Sequence, residues 1–220
     1  MSNNRLKKIY NILYSYYGPQ NWWPGDSPFE IIVGAILTQN TNWKNVEKAI
    51  ANLKPYLDPF VLLNMDIDKL ISLVRPSGFY KLKAQRLKNF LSFFVERYNG
   101  SVEEMKKTEL GTMRQGLLSV PGIGMETCDS ILLYALSKPV FVVDAYTKRI
   151  GVRHNIFDGN ATYEEIQKIF EEGIKKDVYI YNEFHALLVK AGKENCKKRK
   201  PLCKTCPLEG LGKRNIYFTG

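Results

Sequence analysis

The sequence predicts a nearly all-helical chain. Three observations carry that expectation: apolar residues recur at helical spacing through most of the length, alternating stretches are few and short, and Pro or Gly stands at or near many junctions between periodic segments. Leu6, Ile9, Tyr10, Leu13 and Tyr17 mark a first amphipathic helix that stops at Gly18 and Pro19. A loop with Trp22, Trp23 and Pro24 follows. Ser27 suits an N-cap and Pro28 the first helical position, and the run from Phe29 to Leu37 is apolar on nearly all sides, as in a helix buried at a domain centre. Another helix is expected after Asn42, and further helical patterns cover residues 57 to 75, 79 to 97, 110 to 119, 125 to 137, 144 to 154, 161 to 175 and 179 to 192. Phe141, Val142 and Val143 read as a strand or as an extended, buried lead into the helix near Asp144, and we favour the second. The tail after Leu208 is polar and expected to be loosely held.

Lys and Arg outnumber Asp and Glu by 32 to 22, a net charge of +10 that favours a polyanionic partner such as nucleic acid. No apolar run approaches bilayer-spanning length, and the N-terminus lacks the apolar core of a signal peptide, so a cytoplasmic protein without a membrane partner is expected. Three of the four cysteines, Cys196, Cys203 and Cys206, crowd together near the C-terminus while Cys128 stands alone. In a reducing compartment such crowding reads as a metal site rather than a disulfide framework.

Between Leu118 and Met125 the chain runs Ser119, Val120, Pro121, Gly122, Ile123, Gly124: one helix ends, the backbone turns tightly, and another begins. Two glycines here allow close approach of the main chain to another molecule, and the free N–H groups opening the second helix suit a phosphate. By itself such a turn reads first as an ordinary helix turn whose glycines serve only as a C-cap. The wider context decides. LLSVPGIGMETCDSILLYAL followed by VFVVDAYTKRI resembles the hairpin and catalytic-aspartate block of the helix-hairpin-helix, Gly/Pro-Asp (HhH-GPD) superfamily of DNA glycosylases. FEIIVGAILTQNT resembles that superfamily's buried helix, and CKKRKPLCKTC the cysteine loop of its endonuclease III branch. WWP, ILTQNT and VRPSGFYKLKAQRL look most like the bacterial 3-methyladenine DNA glycosylase III group.

The resemblance implies an all-α, two-lobed fold with a helix-hairpin-helix motif and a C-terminal cysteine loop. One lobe would span residues 22 to 130, and the other residues 1 to 21 plus 131 to 220, with double-stranded DNA across the cleft between them. A monomer at the nucleoid is implied as well. Asp144, after Phe141, Val142 and Val143, would stand at a helix mouth, where an ordinary reading is an N-cap. In the family the matching aspartate assists departure of the base, by stabilising positive charge on the deoxyribose or by activating water. Pro121, Gly122, Ile123, Gly124, Glu126 and Thr127 would meet the DNA backbone, as would Lys148, Lys197, Lys198 and Arg199. Members that also nick the strand carry a lysine where this chain has Glu126, and a carboxylate cannot form a Schiff base. A monofunctional hydrolase is therefore expected, although Lys148, one turn beyond Asp144, is a conceivable substitute amine.

All three tryptophans fall in the first 43 residues. If the likeness to the 3-methyladenine group holds, Trp23 and Trp43 sandwich the extruded base and Trp22 supports them. Indole faces attract cations, so stacking would favour a positively charged alkylated purine by about 1 to 2 kcal/mol when desolvated. Gln39 and Asn40 would either touch the base and fill the gap in the duplex or cap the helix end. The resemblance to the endonuclease III branch implies a [4Fe-4S] cluster, but where that branch has its fourth cysteine ligand this chain has Gly212. Three thiolates leave open a cluster with another group on its fourth iron, a three-iron cluster or a vestigial site. Zinc is the weaker reading, since His185, the only nearby histidine in sequence, is expected to pack inside a helix. Rival functions are a glycosylase for deaminated, mismatched or oxidised bases, and a catalytically silent DNA-binding protein.

Overall fold

The computed structural model describes residues 2 to 22, 25 to 211, 215 and 218. Among these residues there are helices and no strands. The chain divides into two compact units, Trp23–Lys138 and Met1–Trp22 with Pro139–Gly220.

The first unit opens with α2 (Pro28–Leu37), for α1 (Ser2–Tyr17) belongs to the other. Ser27 caps α2 by accepting from the Glu30 N–H at 3.2 Å, with Pro28 at the first turn, and the helix is buried along most of its length. Then come α3 (Trp43–Leu53), α4 (Pro59–Asn64), α5 (Ile67–Val74), α6 (Tyr80–Tyr98), α7 (Val102–Lys107), α8 (Leu110–Leu118) and α9 (Met125–Ser130). The single helix expected over residues 57 to 75 is two, because Asp66 takes the N–H groups of Asp68 and Lys69 and restarts the helix as an N-cap. Helix α7 was not anticipated: it has six residues, of which Met105 is buried, and begins at the Ser101 cap. The helix expected over 125 to 137 changes character after Ser130, where Ile131–Ala135 forms a π-helical turn.

A buried cation secures the end of α2. The Lys83 ammonium donates to the carbonyls of Leu37 at 2.8 Å and Ser77 at 2.6 Å, and burial, followed by the nearby Arg86 charge, brings its pKa down to about 8.

In the second unit, α11 (Tyr163–Gly173) and α12 (Val178–Glu194) pack with α1, and α10 (Ala145–Arg153) packs on α12. Phe141 to Val143 form the extended, buried lead rather than a strand. Side chains of α11 meet its backbone: Glu171 accepts from the Phe141 N–H at 2.9 Å, Gln167 donates to the Phe141 carbonyl at 2.7 Å, and the Tyr163 hydroxyl accepts from Val143 at 3.3 Å. The Phe141 N–H and carbonyl and the Val143 N–H are thus satisfied without a neighbouring strand. The described part of the tail is held more closely than expected. Arg153 donates to the Phe218 carbonyl at 2.9 Å, Asn215 donates to the Arg153 carbonyl at 2.8 Å, and Arg5 reaches Leu211 at 3.0 Å.

Candidate functional site

Each unit contributes a distinct cluster. In the second unit, Asp144 ends the extended lead and caps α10: its Oδ1 accepts from the Thr147 N–H at 2.7 Å. Its Oδ2 lies 3.6 Å from Nε2 of His185 on α12. The carboxylate is largely buried, with 12% of the side chain exposed. Burial pushes the carboxyl pKa upward, but the charge of His185 and hydrogen bonds from His185 and Thr147 outweigh it, leaving the pKa below the ordinary carboxylate value.

The indole of Trp22 lies nearly parallel to the His185 ring, with centroids 5.8 Å apart and planes 17° from parallel. The backbone leading to it is clamped by Glu183, a buried carboxylate on α12 that accepts from the N–H groups of Gln20 and Asn21, both at 2.6 Å. Asn21 has a left-handed backbone, φ 45°, a conformation this clamp helps to hold. Lys148 turns its ammonium to the Ala161 carbonyl at 3.3 Å.

In the first unit, α8 and α9 form the two arms of the hairpin. Arg114 makes a bidentate pair with the fully buried Asp129 at 2.8 and 3.2 Å, joining the arms. Between them Gly122 has φ +98°, and Gly124 caps α9 without a side chain in the way. The turn's carbonyls are taken from beneath. Asn89 donates to the Pro121 carbonyl at 3.0 Å, and Gln39 donates to the Gly122 carbonyl at 3.0 Å and to the Thr127 hydroxyl at 2.9 Å. The Gln39 carbonyl oxygen accepts in turn from Arg86.

Both ends of the Gln39 amide are thus engaged in bracing the hairpin. Thr38 is the C-cap of α2. Thr127 is buried, with its hydroxyl on Gln39, so only its backbone remains for a phosphate. Pro121, Gly122, Gly124 and Glu126 are exposed, Ile123 is buried behind them, and Asn40 is exposed with φ 53°. Trp43 opens α3 with its ring against Gly34 of α2, while Trp22 belongs to the other unit. Trp23 lies outside the described residues.

Cys196, Cys203 and Cys206 line one recess together with Arg153, His154, Asn195 and Pro201. Arg153 donates to Cys196 Sγ at 3.2 Å and to the carbonyls of Lys197 at 2.8 Å and Lys198 at 3.1 Å, which leaves the side chains of Lys197, Lys198 and Arg199 exposed. Asn195 donates to the Thr205 carbonyl at 3.1 Å and so closes the loop. The soft donor set fits three of the four ligands of an iron-sulfur cluster. Gly212 lies outside the described residues, and among those described no three His, Cys, Asp or Glu side chains converge on a metal position. Cys128, buried behind the hairpin, has its thiol pushed up to about 12, mainly by burial, and is inert.

Sequence reasoning missed His185, Glu183, Arg86 and Asn89 as site residues. The one available signal was that His185 is one of only two histidines in the chain.

Residues 33 to 176 match the model of the HhH-GPD superfamily base excision DNA repair proteins. The chain is 55% identical over 216 residues to the protein named "Putative DNA repair glycosylase MJ1434" of Methanocaldococcus jannaschii, covering 95% of this chain and 97% of that one. Among solved structures, a trapped endonuclease III–DNA covalent intermediate superimposes with a TM-score of 0.84 at 20% identity, covering 98% of this chain and 97% of the other. The H. pylori 3-methyladenine DNA glycosylase MagIII, bound to 1,N6-ethenoadenine, gives a TM-score of 0.72 at 30% identity, covering 88% of this chain and 97% of that one.

Proposed function

Because the chain belongs to the HhH-GPD superfamily of base excision DNA repair glycosylases, we propose that it removes alkylated purines from double-stranded DNA by hydrolysis, with Asp144 as the catalytic carboxylate. The observation that carries this reading is a mostly buried Asp144 at the mouth of α10, faced by His185, which in turn bears the indole of Trp22.

The hairpin turn, exposed at Pro121, Gly122 and Gly124, grips a backbone phosphate through the N–H groups of its glycines, and Lys197, Lys198 and Arg199 add charge. The damaged nucleotide is extruded and its base stacks on aromatic rings, among which we count Trp22, Trp23 and Trp43. The bond between C1′ and the base nitrogen then breaks, and its electron pair leaves with the base. Asp144 stabilises the positive charge left on the sugar, and water adds at C1′ with loss of a proton. Alkylation makes the base a better leaving group, so one well-held anion suffices. The likeness to MagIII supports an alkylpurine substrate. Glu126 supports the monofunctional reading, since no amine stands there to attack the sugar. The protein would act as a monomer in the cytoplasm.

On alkylated duplex DNA the protein is expected to release 3-methyladenine or a similar purine, detected by mass analysis of the freed bases. Borohydride treatment during turnover should trap no covalent protein–DNA adduct. Release confined to uracil or mismatched thymine would defeat the alkylation reading, and a trapped adduct the monofunctional one.

An iron-sulfur cluster held by Cys196, Cys203 and Cys206 is part of the same proposal. When bound it would serve structurally, fastening the basic loop. Protein purified without oxygen is expected to contain iron and acid-labile sulfide, both lost in Cys203→Ser; iron-free wild-type protein with normal DNA binding would remove the cluster from the account.

A further inference from the structure

Helix α12 supports both halves of the proposed site. On it, Glu183 clamps the backbone at Gln20 and Asn21, immediately before Trp22, and His185, two residues on, touches both Trp22 and Asp144. The imidazole is 4% exposed, so its position is set by packing rather than by solvent. Its two contacts use different parts of the ring. The Nε2 edge faces Asp144 Oδ2 at 3.6 Å, whereas the flat face lies against the indole, 17° from parallel.

The carboxylate is thereby held at two points. Oδ1 is fixed by the Thr147 N–H at 2.7 Å, a contact that belongs to α10 itself, and Oδ2 faces His185, a contact that depends on α12. With Oδ1 alone secured, the carboxylate plane could still turn about its bond to Cβ; the second contact limits that freedom. The same ring backs one face of Trp22 and so sets the height of the surface on which a base would stack.

We propose that His185 is a positioning residue for the glycosylase reaction, aligning the Asp144 carboxylate through its Nε2 edge and the Trp22 indole through its ring face. This rests on the roles given above to Asp144 and Trp22. Among the influences that lower the Asp144 carboxyl against its burial, those of His185 come first and the hydrogen bonds from Thr147 follow. Loss of the imidazole should therefore be legible at the carboxyl itself, whether or not a substrate turns over.

Two variants separate the edge from the face. His185→Phe keeps a flat ring and loses the N–H, so single-turnover base release should fall roughly 10- to 100-fold with KM little changed. In that variant the Asp144 carboxyl, followed by 13C NMR, should titrate at higher pH than in the wild type. His185→Gln keeps an N–H donor and loses the ring, so most of the rate should survive while KM rises. Both effects are read on protein whose circular dichroism matches the wild type, and if His185→Phe fails to fold the KM rise in His185→Gln decides. A wild-type rate and an unmoved Asp144 titration in His185→Phe would overturn the proposal. So would a parallel fall in rate and rise in KM in both variants, which would mark a packing role alone. Should the wild type release no base from any lesion, the glycosylase reading fails, and the NMR titration still decides whether His185 governs Asp144.

Discussion

Asp144→Asn is expected to reduce base release by about 100- to 10,000-fold while leaving DNA affinity intact or slightly higher. The fold should survive, because Asn is as good an N-cap as Asp and keeps an oxygen for the Thr147 N–H, now at 2.7 Å. What disappears is the negative charge that would face the sugar. Single-turnover release and fluorescence anisotropy on one lesion-bearing duplex measure the two effects separately. An Asn variant that turns over like the wild type would remove Asp144 from the chemistry. The pH dependence follows from the lowered carboxyl pKa. A group whose folded-state value is depressed stabilises the fold above its unfolded value, and that contribution is lost as pH falls through the folded value. Activity should therefore persist into mildly acidic solution so far as Asp144 governs it.

Gly122→Ala should weaken DNA binding by about 10- to 100-fold. At φ +98° an L side chain is strained by roughly 1 to 2 kcal/mol, and the new Cβ would lie 2.3 Å from Cγ and 2.9 Å from Cδ of Arg86. Neither is the free end of that side chain, so Arg86 has to shift, and it would take with it the Gln39 amide that holds the Gly122 carbonyl. The melting temperature should drop by about 2 to 8 °C. A larger loss of affinity than of stability would identify the turn as a contact surface; unchanged affinity would show that the hairpin does not bear on DNA.

The features legible in the sequence are those whose causes are local. Ser27 with Pro28, the glycines of the hairpin, and Asp144 at the start of α10 are each recognisable from a few consecutive residues. Helix α7 escaped because six residues carry too few apolar positions to set a period, and the break at Asp66 because the apolar rhythm continues across it. The bracing contacts were beyond reach for a different reason. Gln39 and Gly122 are 83 positions apart, and Gln39 could be assigned no partner until α2 and the hairpin were packed. His185 was read correctly as buried within a helix, yet its neighbours Trp22 and Asp144 come from the two separate stretches of sequence that make up the second unit. Burial is a property a pattern can reveal, whereas contact between distant segments is a property of the fold.

Because Asn89, Gln39 and Arg86 hold the hairpin turn in shape before any ligand arrives, a phosphate docking there would freeze little backbone freedom. If the hairpin grips duplex DNA as proposed, the protein would sample many sites without refolding its grip at each one, and the energy of an encounter would be left for bending and opening the helix at the lesion.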